Sequence, residues 1–327
     1  MIGGAARGRL GGRPGRPTTK GGAMRWSSYA EEDGTVRAAV WREDRLHPVP
    51  AGTGLVDLLG DDGARLRAAA DAALAGPSVD PASVTLLPPV PRPPSVRDFM
   101  AFEEHVVTAS AAIGLTVDPL WYRQPVFYFT NPAALLGPHE PVAISPGSAA
   151  FDYELEVAAV IGREGSDLTP EEAVDHIAGY LVLCDWSARD LQAEEMKLNL
   201  GPAKGKDSAT SCGPWMLTPD ELPVAAAMTA SVNGRPCSAG RLDALHWSFG
   251  EMVAYASRGT RVVPGDLIGS GTVGTGCILE LSRVHGAEAY PWLRPGDRVH
   301  LEVEGLGAVD APVVAGAAVR PLREELA

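Results

Sequence analysis

Between Leu86 and Pro94 the chain reads LLPPVPRPP, with five prolines in the seven positions 88–94. Each proline fixes φ and removes a backbone N–H, so this stretch is held extended and neither a helix nor an inner strand can run through it. The 327 residues are enough for one large domain and one small one. The run is therefore expected to be a linker, residues 88–94, between a small N-terminal domain, 26–87, and a larger catalytic domain, 95–327. Upstream of it, Thr35 to Pro48 alternates weakly as strands do, and Val56 to Ala75 has helical spacing. Residues 1–25 hold six Arg or Lys, no acid and many glycines, the composition of a disordered tail. That tail lacks the aromatics and apolar periodicity of a membrane-surface anchor.

Charge narrows the function classes. The chain carries 28 Lys+Arg against 41 Asp+Glu, a formal net charge of −13, and a surface of that sign repels phosphate backbones. Without the tail the balance is more acidic still, which favours a metal ion over a phosphate ligand. No segment approaches the 18 or so apolar residues of a membrane span, and no apolar signal core is present. Cys184, Cys212, Cys237 and Cys277 are widely spaced, with no C-x-x-C pair, so a zinc cluster is not indicated and a reducing cytoplasm is the simplest compartment.

Beyond the prolines, Ser95 and Asp98 resemble a capping pair for a helix with Phe99, Phe102 and Val106 on one face, ending at Gly114 and carrying His105 near its middle. Phe151 to Ile161 alternates and then becomes continuously apolar. Thr169-Pro170-Glu171-Glu172 is a capping box whose helix Gly179 can end. Tyr180 to Cys184 reads as a buried strand stopping at Asp185, and Val273–Leu281 and Val299–Val303 as further β-rich segments beside Pro-Gly-Asp turns. The fold class expected is α+β, mostly β.

Two glycine motifs point toward nucleotides and fail on context. Gly269-Ser270-Gly271-Thr272-Val273-Gly274 matches the dinucleotide fingerprint, but the residues after it read as a strand where the fingerprint needs a helix N-terminus. Gly201 to Asp207 is one residue short of a P-loop and ends on an acid where the metal-binding hydroxyl belongs. Carboxylates carry more. Glu154 and Glu156 at i and i+2 share a strand face, with Cα atoms roughly 6.6 Å apart, and Asp185 ends a run too apolar to be exposed. A solvated acidic strand face is the plain reading of the glutamates alone. A third, buried carboxylate needs a cation or donors, and three oxygen ligands without cysteine suit Mg²⁺, Mn²⁺ or Ca²⁺. Glu280, between two leucines, also needs a partner if it faces inward, and pairing it with His105 makes a base and its orienter. The other six histidines show no metal-type spacing.

The ordered set Asp152-Tyr153-Glu154-Leu155-Glu156, Asp185 to Gln192, Gly201 to Asp207, and Gly269 to Thr272 with Leu279-Glu280-Leu281 closely resembles the fumarylacetoacetate hydrolase family. The resemblance runs from about Ser95 to the C-terminus, and residues 26–90 match loosely the small N-terminal domains of some members. It implies a mixed β-roll, often assembled as a homodimer. Carried over residue by residue, it makes Glu154, Glu156 and Asp185 the divalent-metal ligands, His105 the water-activating base and Glu280 its orienter. It also makes Arg189, Gln192 and Lys206 the oxyanion and substrate contacts, with Tyr128 and Thr272 lining the pocket. Eukaryotic fumarylacetoacetases carry a further Asp ligand a few residues before the histidine, where this chain has Ala101 with Asp98 just before it. That departure implies an extra water on the metal and a different substrate. The implied reaction is metal-dependent hydrolysis of a carbon-carbon bond in a small 1,3-diketo acid. The alternatives are decarboxylation or isomerisation of a 2-oxo acid, or a noncatalytic ligand-binding role.

Overall fold

The computed structural model of the protein describes residues 24–112 and 114–323. The expected tail falls outside them up to residue 23, and Arg25, its last residue, opens a strand. Within the described residues the chain is mixed α and β with sheets predominating, as the composition of segments predicts.

A 12-stranded sheet organises the molecule. Its central path runs Arg45–Pro48, Val36–Arg42, Arg25–Ala30, Met216–Leu217, Ile177–Asp185, Leu155–Ile161, Leu267–Gly269, Val96–Phe99 and Phe127–Thr130. These neighbours pair antiparallel except Leu267–Gly269 with Val96–Phe99. A second sheet joins Arg235–Arg241, Ala227–Val232, Arg298–Val303, Gly307–Val314 and Val142–Ala143. The strands on either side of the proline run belong to one sheet, and Trp26, Val40 and Leu66 pack in the same core as Leu181, Leu183 and Met216.

Both central strands are buried on both faces, which is why their sequences turn continuously apolar. Leu155, Val157, Ala159 and Ile161 pack with Tyr180, Val182 and Cys184 on one side. Ala158 and Val160 pack with Leu181 and Leu183 on the other. The period-2 alternation of a strand therefore puts Glu154, Glu156 and Asp185 together on this second face, at the end where its apolar residues stop.

Several local expectations are corrected by longer-range packing. Ser95 and Asp98 do not cap a helix: Val96–Phe99 is a strand and the helix spans Glu103–Ala112, because parallel pairing with Leu267–Gly269 takes the segment into the sheet. The Thr169 capping box forms as read, but its helix ends at Val174 and Gly179 lies inside the next strand. Gly179 is there because a Cβ would run into the Leu217 carbonyl on the neighbouring strand. The helical stretch after Val56 is broken by Gly60 and Gly63, both at positive φ, and resumes as Ala64–Leu74. Most consequential is Ile278–His285, which is a helix and not a strand.

Candidate active site and metal centre

Four carboxylates meet at the end of the central strands. Asp98, Glu154, Glu156 and Asp185 each place an oxygen within 4.8 Å of the others, and all four residues are at most 6% exposed. Glu154 and Glu156 come from one strand and its approach, and Asp185 from the antiparallel neighbour. Asp98 comes from two strands away. Its strand pairs with Leu267–Gly269, with Asp98 level with Gly269, and Gly269 is level with Ala158 on the glutamate strand. A side chain at Gly269 would collide with the Asp98 carboxylate and crowd that of Glu156. Gly271, at φ +75°, turns its N–H onto Glu156 Oε2 at 3.1 Å. The fingerprint glycines thus admit carboxylates. Asp98, named from the sequence as one of a capping pair and for its place before Ala101, supplies the fourth carboxylate of the cluster.

Two cations sit against this cluster. Lys206 Nζ donates to Glu154 Oε2 at 2.7 Å and Asp185 Oδ2 at 2.5 Å. Arg189 donates from Nη2 to Glu154 Oε1 at 2.6 Å and from Nε to Asp152 Oδ2 at 2.8 Å. The Tyr128 hydroxyl donates to Asp185 and lies 3.1 Å from Asp98 Oδ2. Burial pushes the Glu154 carboxyl upward, but Lys206 and Arg189 outweigh it and hold the group below the usual carboxylate range. The other three move the opposite way. Burial, with neighbouring carboxylates added, raises Asp98, raises Glu156 strongly and pushes Asp185 up to about 7. Lys206 is kept charged because Asp185 and Glu154 outweigh its own burial.

Asp98 Oδ1, Glu156 Oε1 and Asp185 Oδ1 are buried and accept no hydrogen bond. Such groups are costly unless a cation or donor meets them, and an all-oxygen set of carboxylates is the donor chemistry of a hard divalent ion. The residues present therefore fit a divalent metal.

Beside the cluster, His105 Nδ1 lies 3.1 Å from Glu280 Oε2. His105 comes from the helix Glu103–Ala112 and Glu280 from Ile278–His285, and the two helices pack on each other. The Ile278 and Leu279 N–H groups, at the start of the second helix, donate to Asp152 Oδ1 and Oδ2 at 2.7 and 3.0 Å. A helix does follow the glycine fingerprint, but its N-terminus is already filled by a carboxylate, so the nucleotide reading fails for this reason and not for the strand expected. The P-loop-like segment is similar: Glu195 accepts the N–H groups of Ala203, Lys204 and Gly205 at 2.9, 2.7 and 3.0 Å.

The remaining candidates are adjacent. Gln192 Oε1 accepts from Arg189 Nη1 at 3.3 Å. Thr272 is buried with an unpartnered hydroxyl. All ten residues singled out from the sequence lie at this end of the sheet or in direct contact with residues that do, save Thr272, which follows Gly271 in the chain. Asp152 lies in the same Asp-Tyr-Glu-Leu-Glu segment as the two glutamates, but the sequence assigns it no role.

The family model for the C-terminal domain of fumarylacetoacetate (FAA) hydrolase matches residues 95–314. The chain belongs to the fumarylacetoacetate hydrolase family. A Burkholderia cenocepacia (strain HI2424) relative, named provisionally as a hydrolase, is 31% identical over 288 residues, 86% of this chain and 94% of that protein. Among solved structures, the fumarylacetoacetate hydrolase of psychrophilic Exiguobacterium antarcticum superposes with a TM-score of 0.71 at 26% identity, covering 89% of this chain and 99% of the other. A 5-carboxymethyl-2-hydroxymuconate delta-isomerase from Mycobacterium smegmatis gives 0.68 at 26% identity, covering 89% and 100%. The family thus spans hydrolases and isomerases on one fold. No helix among the described residues is long and apolar enough to cross a membrane.

Proposed function

We propose that the protein is a metal-dependent hydrolase that cleaves a carbon-carbon bond in a small 1,3-diketo acid of the acylpyruvate or fumarylacetoacetate type. The observation that carries this reading is the His105–Glu280 pair at 3.1 Å, set beside four buried carboxylates. Asp98, Glu154, Glu156 and Asp185 would hold Mg²⁺ or Mn²⁺, which when bound polarises the substrate carbonyls and lowers the energy of the departing enolate. Glu280, facing Nδ1, holds the imidazole with Nε2 turned away from it, and Nε2 takes a proton from the attacking water. The carboxylate of Glu280 then offsets the charge of the imidazolium. Lys206 and Arg189 offset negative charge on the tetrahedral oxyanion, and Arg189 Nη1 holds Gln192 where a substrate carboxylate can be met. Tyr128 and Thr272 bring further hydroxyls to the pocket. The bond broken lies between the attacked carbonyl carbon and the neighbouring CH₂, and the products are a carboxylic acid and a smaller oxo acid, a 2-oxo acid from an acylpyruvate and a 3-oxo acid from fumarylacetoacetate.

The likeness to an isomerase at 26% identity supports a second reading, in which the same enolate stabilisation serves isomerisation or decarboxylation of a 2-oxo acid and no water attacks. A turnover screen of acylpyruvates, fumarylacetoacetate and oxaloacetate with Mg²⁺ or Mn²⁺ separates the two. Cleavage of the diketo acids supports hydrolysis. Oxaloacetate turnover alone overturns it.

A further inference from the structure

The buried thiol of Cys277 is unused by the chemistry above, yet it lies against the dyad. Cys277 precedes the helix that carries Glu280, and its Sγ approaches Glu280 Oε2 at 3.5 Å. The same Oε2 is 3.1 Å from His105 Nδ1. His105, Cys277 and Glu280 each offer a ligating atom within 4.8 Å of the others, and the three residues are 8%, 0% and 2% exposed. Tetrahedral ligands at the ordinary Zn–N, Zn–O and Zn–S lengths stand roughly 3.3 to 3.8 Å from one another, close to the separations of 3.1 and 3.5 Å in this cluster. Glu280 Oε1 is buried and has no hydrogen-bond partner, which leaves the carboxylate an acceptor in search of a cation.

We infer that His105, Cys277 and Glu280 form a second metal site, selective for zinc, whose occupation switches off the dyad. Selectivity follows from donor softness. The four-carboxylate cluster suits a hard ion, whereas one imidazole, one thiolate and one carboxylate suit Zn²⁺. Charge supports the assignment too, since a divalent ion against one thiolate and one carboxylate leaves no net charge in a buried place. On binding, the thiol proton leaves to solvent and the sulfur–zinc bond takes its place. Zinc on His105 Nδ1 forces the remaining imidazole proton onto Nε2, so the nitrogen meant to accept a proton from water becomes a donor. The two sites are adjacent in the fold, because Cys277 forms a bridge pair with Glu154.

The site itself stands on these residues whatever the reaction, and only its inhibitory effect rests on the hydrolase reading. The test therefore starts with binding. Full-length protein saturated with Mg²⁺ is titrated with Co²⁺ as a spectroscopic stand-in for zinc, and a thiolate-to-cobalt charge-transfer band is followed in the near ultraviolet. The band is expected in the wild type, and Zn²⁺ should displace it. Cys277→Ser should abolish it, and Glu280→Gln, which keeps the thiol, should weaken binding by at least about tenfold, the loss seen even for outer partners of metal ligands. Near-ultraviolet circular dichroism reports whether either variant has kept its fold. The site is overturned if the wild type shows no band, or if the band survives in folded Cys277→Ser and so arises from Cys184, Cys212 or Cys237. If the band behaves as expected but Zn²⁺ leaves Mg²⁺-supported turnover unchanged, the switch is overturned while the site stands.

Discussion

Asp152 Oδ2 accepts a hydrogen bond from Arg189 Nε at 2.8 Å while the same carboxylate receives Ile278 N–H and Leu279 N–H at 2.7 and 3.0 Å. One fully buried side chain therefore fixes both the guanidinium that reaches Glu154 and the helix that presents Glu280. Its own backbone neighbour, Tyr153 N–H, completes the set at 2.8 Å.

Asp152→Asn keeps the shape and removes the charge, and its amide turns a donor toward groups that are themselves donors. Breaking a buried pair by altering one partner costs about 3–5 kcal/mol. The melting temperature should fall by several degrees and turnover should fall with it. Calorimetry and steady-state kinetics on the same preparation check this, and a variant unchanged in both would show that Asp152 holds nothing in place.

Glu156→Gln should weaken Mg²⁺ or Mn²⁺ binding, because it takes a formal charge from the oxygen set. In metal-free protein the same substitution should cost little, since Glu156 is buried and its carboxyl is raised well above the usual range. Elemental analysis after gel filtration, with melting curves in chelator, reads both halves.

Stability should depend on pH in opposite ways with and without metal. Burial raises the Asp98, Glu156 and Asp185 carboxyls, Asp185 to about 7, and burial also raises Asp152. Between about pH 4 and pH 7 the folded metal-free protein then binds more protons than the unfolded chain, so its stability rises as pH falls. Glu154, lowered on folding, acts with the opposite sign only below its unfolded value near 4.5. The melting temperature in chelator should therefore climb from pH 8 to pH 6. Added Mg²⁺ needs the ionised carboxylates, and the stabilisation it confers should shrink over the same interval.

Much of this site is legible in the chain because strand periodicity is local. The i and i+2 spacing of Glu154 and Glu156, and the apolar run that Asp185 ends, place three carboxylates without tertiary knowledge. Asp98 escapes that logic. It reaches the cluster across Leu267–Gly269, a strand almost 170 residues later in the chain, through the gap left by Gly269. The helix at Ile278–His285 is hidden from the local pattern for a related reason. Its short apolar run suits either element, and the group that selects the helix is the Asp152 carboxylate, some 126 residues away. The proline run is visible as a break in secondary structure, but that strands on its two sides share a sheet depends on pairing such as Arg25 with Leu217.

The account turns on His105 as the base toward water and Glu280 as its orienter. His105→Ala should reduce cleavage of an acylpyruvate by about 10²- to 10⁴-fold, the usual contribution of a positioned general base, with Mg²⁺ binding retained at the four carboxylates. Glu280→Gln should lower turnover in the same direction.

The most direct measurement is cleavage of an acylpyruvate by Mg²⁺-loaded wild-type protein in ¹⁸O-labelled water, with the released acid analysed by mass spectrometry. One solvent oxygen should enter the new carboxylate, and the rate of its appearance should collapse in His105→Ala. Rapid oxaloacetate turnover to pyruvate and carbon dioxide, with no labelled acid formed from any acylpyruvate, would contradict the account.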